Sequence, residues 1–85
     1  MAIDGFKGQL NEVRQRISLC RKKGYNTKIA ELKIMSIPSK ISMLEVTKDI
    51  KDAQKINAML DDAAGELVEF EKEMLANENK KEDNA

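Results

Sequence analysis

The chain has no histidine, no tryptophan, one cysteine, one proline, four glycines and, with one tyrosine and two phenylalanines, few aromatic residues. Without histidine, the usual base that activates a serine or cysteine nucleophile is missing. One cysteine can assemble neither a zinc site nor an internal disulfide. Cys20 falls on an apolar stripe and reads as a buried thiol, which suits the reducing cytosol. There is no Walker A or dinucleotide fingerprint. No catalytic residue, cofactor or metal site is therefore expected. The N-terminus lacks the charged and apolar regions of a signal peptide, and no run approaches the ~18 apolar residues of a membrane span. The expectation is a soluble, cytoplasmic chain without membrane contact.

What is present favours helix. Ala, Leu, Ile, Met, Lys and Glu dominate the 85 residues, and each tolerates or promotes helical backbone. A domain of this size buries only about 60% of the surface that its unfolded chain exposes, so a partner would add needed stability.

The charges sum to zero but are segregated. Residues 1–42 hold nine Lys/Arg against three Asp/Glu, and residues 43–85 hold six against twelve. One half is +6 and the other −6. Such a split implies that one part is built to meet another, within a chain or between chains.

Helix 1 is expected over about 4–23. Its apolar residues Ile3, Phe6, Leu10, Val13, Ile17 and Cys20 recur in steps of three and four and share one stripe. Asp4 is a candidate N-cap, and Gly24 is the residue that ends the helix in a left-handed conformation after Arg21, Lys22 and Lys23. Helix 2 is expected over about 27–45, capped by Asn26 or Thr27 and kinked or broken at Pro38, which clashes with helical backbone before it. It carries two apolar stripes, Ala30, Ile34, Ile37, Ile41 and Leu44 on one side and Leu32, Met35, Met43 and Val46 on another. That pattern predicts the most buried element. Helix 3 is expected over about 48–76, with Thr47 or Asp49 as cap, or as part of one helix continuous from Ser39. Its seam, Ala53, Ile56, Leu60, Ala63, Leu67, Phe70 and Met74, is coiled-coil-like. These elements form a single domain over 1–76, and the polar run 77–85 reads as a disordered tail.

The charge split maps onto the seams. In heptad register, Lys7, Arg14 and Arg21 line one flank of the helix 1 stripe and Gln9, Arg16 and Lys23 the other. Helix 3 carries Asp52, Glu66 and Glu73 on one flank and Glu71 on the other. Flanking charges select partners by penalising like-charge pairings, so helix 1 is directed to helix 3. The predicted fold is all-α, a three-helix bundle in which helices 1 and 3 run parallel, with exchange into a helical dimer as the alternative.

At about 43 Å, helix 3 outruns helix 1, at about 30 Å. Leu67, Phe70 and Met74, rimmed by Glu66 and Glu73, form a candidate partner-binding surface, with Tyr25 shielding part of Phe70. On that reading Phe70→Glu weakens association more than it unfolds the chain. The expected function is a non-catalytic protein–protein interaction or assembly module whose partner is another protein or a second copy in a homodimer. The alternative is a nucleic-acid-binding regulator, with Arg21, Lys22, Lys23 and Lys28 around Tyr25 contacting phosphates and a stacked base. Zero net charge argues against that alternative. Asp61, Asp62 and Glu66 read as a solvated acidic face, and Gly5-Phe6-Lys7-Gly8 only superficially matches the phosphate-clamping tetrapeptide of RNA-binding KH loops, because no strand precedes it.

Overall fold

The computed structural model of the protein describes residues 3–83, with side chains described for 4–78. Four helical segments follow one another: α1 (Ile3–Lys22), α2 (Lys28–Ile34), α3 (Ile37–Thr47) and α4 (Ile50–Asp83). α2 and α3 together make one broken rod, so the architecture is the expected three-helix bundle, and no strand occurs among the described residues.

Each break has a local cause. At the end of α1, Gly24 adopts φ +92°, its N–H donates to the Arg21 carbonyl at 3.0 Å, and the Tyr25 N–H donates to the Cys20 carbonyl at 3.0 Å. This is the Schellman arrangement, which turns the chain sharply and delivers Tyr25 back over the bundle. Between α2 and α3 the helix is interrupted at Met35–Ser36, and Pro38 occupies the second position of α3, where its missing N–H has no helical acceptor to lose. The α3–α4 corner excludes a helix continuous from Ser39. Lys48 takes a left-handed conformation at φ 53°, and its N–H donates to the Leu44 carbonyl at 2.8 Å. Asp49 then caps α4, its Oδ1 accepting from the Lys51 N–H at 2.9 Å and its carbonyl from the Ala53 N–H at 3.2 Å.

Three expected caps behave differently. Asp4 lies within the first turn of α1, where its charge still favours the positive end of the helix dipole. Thr27 holds the N-cap position of α2 as expected, its carbonyl accepting from the Glu31 N–H at 2.9 Å, but its side chain makes no cap; it is buried, and its hydroxyl donates to Glu31 Oε2 at 3.0 Å. Asn26 instead serves the turn, its Oδ1 accepting from the Lys28 N–H at 3.1 Å. α4 runs to Asp83, seven residues beyond the expected end at Ala76. The Glu, Lys and Asn that continue it extend an existing helix at little cost, because nucleation has already been met upstream. Residues 84–85 of the expected tail lie outside the described residues.

The core takes one stripe from each rod. Leu10, Val13, Ile17 and Cys20 of α1, Ala30 and Ile34 of α2, Ile37, Ile41 and Leu44 of α3, and Ile56, Leu60, Ala63 and Leu67 of α4 are buried together. Phe6, Tyr25, Ala53, Phe70 and Met74 pack against its edges. These are the stripes read from the periodicity, with the side chain of Ile3 outside the described set. α4 packs on all three other segments, and the long axis of 55 Å reflects its length.

Candidate protein-docking surface

The second stripe of the α2–α3 rod is not buried. Leu32 is 65% exposed, Met35 70%, Met43 62% and Val46 83%, and Ile29 is more than half exposed. The expectation that this rod is the most buried element is therefore corrected. The reason is geometric. In a bundle of three rods each helix meets its two neighbours along one side only, and a residue two positions from a buried one projects about 160° around the helix, into solvent. Leu32 stands in that relation to Ile34, and Val46 to Leu44. A fourth rod would be needed to cover them.

Between α1 and the α2–α3 rod lie two hollows that meet at Arg14. One is lined by Arg14, Ile17, Arg21, Ile34 and Met35, the other by Lys7, Leu10, Arg14, Pro38, Ile41 and Ser42. Lys7 pairs with Glu45 at 3.0 Å and Arg21 with Glu31 at 3.4 Å, while Arg14 between them makes no ion pair among the described residues. One basic flank of α1 thus faces the α2–α3 rod, and only the other faces α4.

On that other flank the heptad pairing holds. Arg16 Nε donates to Glu71 Oε2 at 2.8 Å and its Nη2 to Oε1, a two-pronged bridge 55 positions apart in sequence. The hydrogen bond from Arg16 is the chief reason the Glu71 carboxyl is held below the usual carboxylate range, and the same bond raises the guanidinium further. Lys33 of α2, which lies outside the heptad flanks, donates to Glu66 Oε1 at 2.8 Å and sits 3.1 Å from Asp62 Oδ2. Those two carboxylates raise its pKa, the bond to Glu66 first. The bridges Lys7–Glu45, Arg16–Glu71 and Lys33–Asp62/Glu66 all join a cation of the basic half to an acid of the acidic half. Lys7 near the start of α1 meets Glu45 at the end of α3, just before α4 begins, and Arg16 near the end of α1 meets Glu71 far along α4, so α1 and α4 run parallel.

The residues singled out on α4 occupy mixed positions. Leu67 is fully buried in the core, in place of the partly exposed position expected from the overhang, because the chain returning through Tyr25 reaches this level of α4. Phe70 is half-buried and stacks on Tyr25, ring centroids 4.9 Å apart at 23°. Met74 is half-buried and lines a hollow with Lys23, Tyr25, Asn77 and Glu78. Glu66 is engaged by Lys33. Glu73 is exposed and close enough to Tyr25 to add to the rise in the phenol pKa that burial begins.

In the basic turn, the stack on Phe70 covers one face of the Tyr25 ring and Glu31 engages Arg21, whereas Lys22, Lys23 and Lys28 are exposed without an ion pair among the described residues. A hollow beside the turn is lined by Arg21, Tyr25, Asn26, Lys28 and Leu32. Cys20 is fully buried, and burial pushes its thiol pKa up. No cluster of potential metal ligands occurs among the described residues, and no described helix is long and apolar enough to cross a membrane.

The outer α2–α3 stripe is the surface feature that sequence reasoning misplaced. Its signal was present in the double apolar periodicity, since a three-rod bundle can bury only one of two opposed stripes. Comparison of the chain with protein-family models, curated proteins and solved structures finds no match.

Proposed function

We propose that the chain is a small helical protein–protein interaction module without catalytic activity of its own. The observation that carries this reading is the outer α2–α3 stripe, Ile29, Leu32, Met35, Met43 and Val46, exposed along a rod whose opposite side is core. An apolar stripe of this extent is costly to leave open to water, and helices recognise partners through such i, i+3 spacing. The interaction surface of the reading therefore moves from the end of α4, where Leu67 and Phe70 serve packing, to the α2–α3 rod. The test is a photo-crosslinking side chain placed at position 32 and, as control, at the exposed Lys55, in cells that express the chain. A discrete protein adduct at position 32 that is absent at position 55 supports the reading. Equal, diffuse labelling at both positions refutes it.

A further inference from the structure

The geometry points to a second copy of this chain as the occupant of the outer α2–α3 face, in an antiparallel two-fold dimer centred near the Met35–Pro38 break. This inference rests on the interaction reading and names its partner.

Three observations carry it. The first is area. Ile29, Leu32, Met35, Met43 and Val46 are between 58 and 83% exposed. Five such side chains offer on the order of 500 Å² of mostly apolar surface, the greater part of the ~800 Å² per partner of a stable interface. The second is spacing. Two pairs of these residues lie symmetrically about the midpoint between Ile37 and Pro38, Leu32 being as far before it as Met43 is after it, and Ile29 as far before it as Val46 is after it, while Met35 mirrors the exposed Lys40. A two-fold axis through that midpoint, with the rods antiparallel, sets Leu32 against the partner copy's equivalent of Met43, and Ile29 against that of Val46. This is the self-complementary condition that an isologous interface must meet. Ser36, Ser39 and Ser42 occupy the exposed positions near the axis, where small side chains permit close approach.

The third is charge. The same antiparallel pairing brings Lys28, which has no ion-pair partner among the described residues, to the α3–α4 corner of the other copy, where Asp49 and Asp52 balance Lys48 and Lys51, so that Lys28 meets no net like charge. A parallel pairing would set Lys28 against Lys28. Zero net charge removes long-range repulsion between copies. The dimer also supplies the missing fourth rod: each α2–α3 rod then has core on one side and its counterpart on the other.

The test is sedimentation equilibrium of the full chain up to about 100 μM, with the Leu32→Glu and Met43→Glu variants, each checked for unchanged helicity by circular dichroism. Wild type is expected at twice the 9.6 kDa chain mass, and either variant weakens association at least tenfold, as expected for a central apolar contact. Orientation is read by mild oxidation of Leu32→Cys and Met43→Cys chains. A mixture crosslinks, whereas neither variant crosslinks alone, and buried Cys20 does not contribute. A monomeric wild type overturns self-association, and an adduct of position 32 with a different protein would then leave the interaction reading standing. A dimer that survives Leu32→Glu overturns the surface, and crosslinking of Leu32→Cys alone overturns the antiparallel arrangement.

Discussion

The Arg16–Glu71 bridge offers the sharpest test of how the segregated charges act. Both side chains are 30% exposed. A fully exposed pair contributes about 0.2–1 kcal/mol, and a hydrogen bond to a charged group about 1.5–3 kcal/mol. Two hydrogen bonds in this part-buried setting place the coupling between those limits, at about 1 kcal/mol. Each alanine variant also loses packing of an aliphatic stem, so the single substitutions are expected to cost about 1–1.5 kcal/mol. With a urea slope near 1 kcal/mol/M for a chain this small, each midpoint falls by about 1–1.5 M. The measurement is a double-mutant cycle of Arg16→Ala and Glu71→Ala, with the reversed pair Arg16→Glu/Glu71→Arg as a second arm that should recover part of the loss.

The pH dependence has a defined sign. The folded Glu71 pKa is depressed, chiefly by its hydrogen bond from Arg16. Its stabilisation is therefore fully present above the unfolded carboxyl value of about 4.3 and is lost as pH falls through the lower folded value. The difference in stability between wild type and Glu71→Gln should shrink across that acid window and stay constant near neutrality. A coupling below about 0.3 kcal/mol, together with a pH-independent difference, would refute the claim that this bridge holds α1 to α4.

Other substitutions probe the remaining links. Leu67→Ala should cost about 3 kcal/mol by urea unfolding, a large part of the total stability of so small a domain, because Leu67 is fully buried. A loss below about 1 kcal/mol would return Leu67 to the surface. Lys48→Gly should stabilise by up to about 1 kcal/mol and Gly24→Ala should destabilise by about as much, since both positions have left-handed backbone. Thermal unfolding compares the two, and shifts of the same sign would contradict the two turns. Cys20 should resist thiol reagents in the native chain and react at a rate set by opening, since the sulfur is fully buried and its pKa is raised by burial. Rapid native labelling would count against the packing of α1.

Local signals fixed most of the fold. Gly24 after three cations, Asp49 before α4 and Pro38 within an apolar rod each act through the backbone of their own neighbours, so they can be read without a partner in view. The α1 and α4 stripes were equally legible, because helical periodicity places residues on a face whatever that face meets. The second stripe of α2–α3 was legible as a stripe but not as an exposed one. Whether Leu32 and Val46 are buried depends on how many rods surround theirs, and periodicity does not count neighbours.

The same division applies to the charges. By itself the amino-acid sequence determined that a basic half and an acidic half exist and that helix 1 and the last helix carry opposite flanks, because composition and register are properties of the chain. Only the tertiary structure decided that Arg16 meets Glu71, that Lys33 meets Glu66 and Asp62, and that the other flank of α1 turns toward Glu31 and Glu45. Coulombic attraction is too long-ranged and too solvent-screened to choose among nearby opposite charges. The choice is made by core packing, which sets the rods at a fixed distance and rotation and so determines which side chains can reach.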